Sequence, residues 1–181
     1  MQTVSVKRKP SIVGIMGSHR DDNVSMDEAR ILGEAIAKRG HVLLSGGGTG
    51  VMHAASKGAY LAGGLVIGVL PNDKERPLAG YPNEFIDIPI YTGMYEARNI
   101  INAKTPDLII ALAGGPGTLS EMVLAMKGGI PVIGLHAPRF EMEGDYGCHV
   151  VDSAEEAIAK MDEILTPMGV ANVVVSSPVL S

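Results

Sequence analysis

Tryptophan is absent from the chain, phenylalanine occurs twice and cysteine once. The lone thiol, Cys148, cannot close an intrachain disulfide and has no CxxC companion, which excludes a disulfide-stapled scaffold. Basic residues are in the minority, 15 Lys and Arg against 20 Asp and Glu, for a formal charge of −5. Duplex DNA and long RNA select basic surfaces, so no nucleic acid polymer is expected as a partner. A small phosphorylated ligand needs only one local positive pocket and is not excluded. No apolar run reaches membrane length, and the one after Lys7-Arg8-Lys9-Pro10 is too short for a signal segment. With the unpaired thiol, this leads to the expectation of a cytoplasmic protein without a membrane partner. His19, His41, His53, His136 and His149 show no ligand spacing with one another or with Cys148, so no catalytic metal is expected. No Ser-His-Asp order and no lysine in a Schiff-base setting is visible.

Glycine and aliphatic residues are plentiful: 23 glycines, with 46% of the 181 residues hydrophobic. Short apolar runs alternate with helical patterns nearly throughout. Strands are expected at Ser11–Met16, His41–Leu44, Leu65–Val69, Glu84–Ile88, Leu108–Leu112, Ile130–Leu135 and His149–Val151. Helices are expected from a capping box at Ser25–Glu28 to about Arg39, from about Gly50 to Leu61, from Met94 to about Ala103, and from Gly117 to about Lys127. A last helix, Ser153–Leu165, opens on a second capping box, Ser153 to Glu156. Stretches 72–83 and 136–147 are polar loops. This alternation implies right-handed crossovers and an α/β, Rossmann-like, doubly wound and mainly parallel sheet with helices on both faces, in a single domain. The domain is expected over 11–165, between an N-terminal extension, 1–10, and a C-terminal tail, 166–181.

Ligands of such sheets sit beyond the carboxyl ends of the strands, near the switch point. Three glycine turns belong on that rim: Gly17-Ser18, Gly46–Gly50 and Gly114–Gly117. The third passes from a strand straight into a helix, where unpaired backbone N–H groups and the helix dipole favour an anion. Gly114, Gly115, Gly117 and Thr118 are therefore candidate phosphate binders, with Ser18 a further donor. Gly47, Gly48 and Thr49 suit a second anion site and a close packing turn equally. His19, Arg20 and the run Lys74-Glu75-Arg76 read as solvated loop. His53 reads as a packed histidine more than a pocket wall. Arg98, in the first turns of its helix, opposes the dipole there and calls for a compensating anion. Glu121 has two readings. It ends a capping box, Thr118 to Glu121, and it lies one turn from the phosphate cradle, placed to act on a ribosyl centre, with no second acid identifiable nearby.

Together these residues resemble the Lonely Guy superfamily of cytokinin-activating phosphoribohydrolases. The resemblance spans roughly 11–165 and rests on Gly17-Ser18, Ser45–Met52, Gly93–Asn99 and Gly114–Glu121. It implies a Rossmann-like fold, homo-oligomers (a dimer or tetramer) and, for a hydrolase, catalytic roles for Arg98 and Glu121. Hydrolases carry Pro, Tyr and Lys where this chain has Ala113, Pro116 and Asn99. The Arg98-Asn99 version with Gly114–Glu121 is more similar to the molybdenum cofactor carrier branch. That branch implies binding of molybdenum cofactor, with Gly17, Ser18, Gly47, Gly48, Thr49, Arg98, Gly114, Gly115, Gly117 and Thr118 as binding residues. The alternative implied is cleavage of the N-glycosidic bond of a nucleoside 5′-monophosphate.

Overall fold

The computed structural model describes residues 10–20, 23–141 and 143–165, so the 166–181 tail and nearly all of the 1–10 extension lie outside the described residues. The strands are short blocks of Val, Ile and Leu: β1 (Ile12–Met16), β2 (Val42–Ser45), β3 (Val66–Leu70), β4 (Ile88–Tyr91), β5 (Leu108–Ala111), β6 (Val132–Leu135) and β7 (Cys148–Val151). Among the described residues the helices are α1 (Asn23–Lys38), α2 (Val51–Leu61), α3 (Asn99–Lys104), α4 (Pro116–Lys127) and α5 (Ala154–Leu165), and a 3-10 turn, Tyr95–Arg98, leads into α3. All strand pairs are parallel, in the order β4-β3-β2-β1-β5-β6-β7.

The chain winds outward from β1 to β4, returns to the centre, and winds the other way from β5. Right-handed crossovers then place α1 and α2 on one face and α4 on the other. Ile15, Leu32, Ile36, Leu43, Leu108 and Ile110 fill the first face together with Met161 of α5. Met16, Leu44, Ile109, Met122, Met126 and Val132 fill the second. Each large aliphatic side chain buried this way contributes about 1.5–3 kcal/mol. At the switch point β1 and β5 run side by side, Val13 opposite Leu108 and Met16 opposite Ala111. Their exits are tied together where the Ser18 N–H donates to the Ala113 carbonyl at 2.8 Å.

The structure corrects three local expectations. The strand read at Glu84–Ile88 is displaced to Ile88–Tyr91. Ile86 packs against the core and the Asp87 carboxylate accepts from the Val66 N–H at 2.9 Å, so this stretch anchors the sheet without entering it. The proline in the actual strand, Pro89, is tolerated because β4 is an exposed edge. Helix α1 begins at Asn23, before the expected cap. Ser25 is therefore a buried residue of its first turn, and Glu28 lies 3.4 Å from His136. At α5 the Glu156 N–H donates to Ser153 Oγ at 3.2 Å as expected, while the Glu156 carboxylate reaches one residue further back, to the Asp152 N–H at 3.0 Å.

Candidate functional site

A cleft of about 840 Å³ opens beyond the carboxyl ends of β1 and β5. Of the residues singled out in the sequence, Gly17, Ser18, Arg98, Gly114, Gly115, Gly117, Thr118 and Glu121 line it, joined by His19 and Arg20. Gly47, Gly48 and Thr49 are not among its lining residues.

The third glycine turn forms the open wall. Gly115 is the N-cap of α4, in extended conformation and without a side-chain cap, and Pro116 follows at the first helical position, where its missing N–H costs nothing. The first helical hydrogen bond runs from the Leu119 N–H to the Gly115 carbonyl at 3.0 Å. The N–H groups of Gly117 and Thr118 precede it and have no helical acceptor. A Cβ on Gly114 would fall 2.1 Å from Thr118 Oγ1, which ties glycine to that position. A Cβ on Gly115 would meet nothing within 4 Å. At the neighbouring exit, Ser18 Oγ accepts from the Arg20 N–H at 2.9 Å, which leaves its hydroxyl hydrogen free to donate.

The second glycine turn is filled by protein. A Cβ on Gly48 would lie 2.6 Å from the Tyr81 ring. The Gly47 and Gly48 carbonyls accept from the Asn83 backbone N–H and Nδ2, both at 2.9 Å, and the Thr49 hydroxyl donates to the His19 carbonyl at 2.8 Å. The turn is thus packed by protein at Gly47, Gly48 and Thr49. His53 is bound nearby to Glu84 at 3.0 Å and against the Phe85 ring, away from the cleft lining. Lys74, Glu75 and Arg76 are exposed.

Arg98 ends the 3-10 turn and supplies the N-cap position of α3. Its Nη1 donates to the Gly46 carbonyl at 2.8 Å and to the Val69 carbonyl, and its guanidinium lies 5.5 Å from the centre of the Tyr81 ring. Two main-chain carbonyls at strand ends thus supply the compensation that the sequence reading assigned to an anion. Arg98 still lines the cleft, as Arg20 does, and both bring positive charge to it.

Glu121 is not a cap. Helix α4 starts before Thr118, so its capping positions are already past, and the carboxyl turns inward with 8% exposure. Its Oε1 accepts from Asn102 Nδ2 at 2.8 Å. Burial pushes this carboxyl up to about 7, while the Asn102 hydrogen bond and the Arg98 charge pull the other way. A second rung beside it runs from Asn99 Nδ2 to Ser120 Oγ at 2.9 Å, and the Ser120 hydroxyl donates to the Gly117 carbonyl at 2.7 Å. Helix α3 is thereby latched to α4 beneath the glycine turn. The sequence reading passed over Asn102, Tyr81 and Glu96, all of which line the cleft. Asn102 carried a usable signal, being a polar residue in the apolar run Ile100-Ile101-Asn102-Ala103 four positions after Arg98. Glu96 is exposed on the wall and is a second acid where none was expected. Among the described residues no group of three or more His, Cys, Asp or Glu is arranged to hold a metal. No described helix is long and apolar enough to cross a membrane.

Comparison with known proteins places this geometry. The molybdenum cofactor carrier protein of Chlamydomonas reinhardtii superposes with a TM-score of 0.76 at 37% identity, covering 87% of this chain and 99% of that one. The molybdenum cofactor binding protein of Rippkaea orientalis gives 0.75 at 35% identity, covering 88% and 99%. By sequence, the cytokinin riboside 5′-monophosphate phosphoribohydrolase LOG of Oryza sativa is 36% identical over 110 residues, which are 59% of this chain and 44% of that enzyme. The chain thus matches less than half the length of this curated relative. The model of the SLOG cluster4 family (LDcluster4) matches residues 10–165. The chain belongs to the SLOG cluster4 family, within the Lonely Guy-like superfamily and on the branch of the molybdenum cofactor carrier proteins.

Proposed function

We propose that the cleft binds a small phosphorylated molecule and that this molecule is the molybdopterin form of molybdenum cofactor, carried rather than transformed. The observation that carries the reading is the open turn at the start of α4: helical N–H groups without helical acceptors, glycines in place of side chains, and Arg98 lining the same cleft. Hydrogen bonds to a charged phosphate are worth about 1.5–3 kcal/mol each, so a few of them hold a ligand of this class. The cleft volume, about 840 Å³, falls in the range of small-molecule sites. The likeness to two molybdenum cofactor proteins along nearly their whole length supports this ligand over others. Assembly into a dimer or tetramer, in the cytoplasm, belongs to the same proposal, and sedimentation measures the former.

One observation favours a second reading, hydrolysis of a nucleoside 5′-monophosphate at its N-glycosidic bond. Glu121 is a buried carboxyl that titrates at about 7, the range suited to general acid–base work, and Glu96 is a second carboxylate on the same cleft. Arg98 then stabilises charge beside the ribosyl centre. Free-base release from a panel of nucleoside 5′-monophosphates, with Glu121→Gln as control, separates the two. The carrier reading expects no release at high protein concentration together with saturable binding of molybdenum cofactor. Release that disappears in Glu121→Gln overturns it and establishes the hydrolase.

A further inference from the structure

Asn102 is only half used by the protein. It is 1% exposed, belongs to α3 and lines the cleft. Its Nδ2 donates to Glu121 Oε1 at 2.8 Å, but its Oδ1 is buried and has no partner. Among the described residues, no other unpartnered buried side-chain oxygen belongs to a residue lining this cleft. Buried acceptors in native proteins are paired, and one left open beside a ligand cleft calls for a partner from the ligand. The amide orientation follows from its neighbour. An ionised carboxylate only accepts, so with Glu121 charged the NH₂ end must face it and the carbonyl end is left over.

The neighbours of this acceptor restrict the ligand. Asn102 is bonded directly to Glu121, which lies on α4 about one turn beyond the glycine turn, and all of them line the same cleft. We infer that Asn102 Oδ1 is a specificity-determining acceptor, selecting phosphate monoesters that carry a hydroxyl or ring N–H donor. The cleft then discriminates against inorganic phosphate and against esters without such a donor. This rests on the phosphate reading of the Gly114–Thr118 turn.

The test is calorimetric titration of the full chain at pH 8, above the value of about 7 to which burial raises Glu121. The probes are inorganic phosphate, adenosine 5′-monophosphate, its 2′,3′-dideoxy counterpart and molybdopterin, against the wild type and Asn102→Leu. A sugar hydroxyl as donor gives about tenfold weaker binding of the dideoxy nucleotide to the wild type, a gap that closes in Asn102→Leu. A ring N–H as donor gives about tenfold weaker molybdopterin binding in Asn102→Leu with the two nucleotides alike in both proteins. Either result, with inorganic phosphate unchanged by the substitution, supports the inference. Binding of nucleotide and molybdopterin that Asn102→Leu leaves untouched overturns it while the phosphate reading stands. Failure of phosphate and every monoester to bind overturns both. Melting temperatures confirm that the variant is folded, and Asn102→Ala replaces it if it is not.

Discussion

The glycine turns after β2 and β5 look alike in the sequence, each a strand that ends in glycines and re-enters as a helix, yet they have opposite fates. At Gly46–Gly50 the space beside the backbone is taken by the Tyr81 ring, the Asn83 side chain and the Arg98 guanidinium, and Gly46 alone of the turn borders the cleft. At Gly114–Gly117 the Thr118 side chain occupies the space beside Gly114, but nothing lies within 4 Å of where a Gly115 Cβ would stand. Both turns use glycine for close approach by protein, at Gly48 and at Gly114, but only the second also leaves backbone open, at Gly115. A glycine-rich turn therefore reports that something comes near the backbone, not what it is. Arg98 serves both, since it is fastened to the filled turn and lines the cleft of the open one.

The largest effect that would sharpen this contrast is electrostatic. The open turn lies beside a buried carboxyl, Glu121, raised from 4.5 to about 7. Because its folded value exceeds its unfolded one, stability is full below about pH 4.5 and falls as pH rises through 7. The loss amounts to about 3 kcal/mol, at roughly 1.4 kcal/mol per unit. Urea denaturation of the wild type and Glu121→Gln across pH 4.5–8 should show the difference between them growing with pH. Parallel curves would mean that the carboxyl carries no such burden.

The next effect tests the filled turn. Gly48→Ala drives a Cβ into the Tyr81 ring and should cost about 2 kcal/mol of stability. A loss under about 0.5 kcal/mol, of the size seen at ordinary surface positions, would show that the 72–83 loop yields easily and would break the comparison. Gly115→Ala should do the reverse, costing at most about 1 kcal/mol of stability through the N-cap exchange while phosphate-ester affinity falls about tenfold, near 1.4 kcal/mol. Unchanged affinity would remove the open turn from the site. The smallest effect belongs to Ser45→Ala, which deletes the buried bond from the Gly47 N–H to Ser45 Oγ at 3.1 Å. About 1 kcal/mol of stability should go, with ligand binding intact.

Legibility in the sequence followed the range of the interactions involved. Strand and helix identity came from local periodicity, and the doubly wound order came from alternation with a handedness rule. The misplaced β4 shows the limit. Glu84–Ile88 reads as a strand, but Ile86 and Asp87 are claimed by the core and by the Val66 N–H, contacts that no local pattern records. Glu121 shows it again. Thr118–Glu121 satisfies the capping pattern, and only the start of α4 at Pro116 removes it from that role.

By itself the sequence determined the fold class and the rim on which the glycine turns lie, because glycines at strand exits constrain the backbone wherever the rest of the chain goes. It also determined the candidacy of Arg98 and the Gly114–Glu121 segment. Only the tertiary structure decided which glycine turn is open, because Tyr81 and Asn83 reach the other from a distant loop. It alone decided that Glu121 is buried against Asn102, since desolvation depends on what packs around a group and not on its neighbours along the chain.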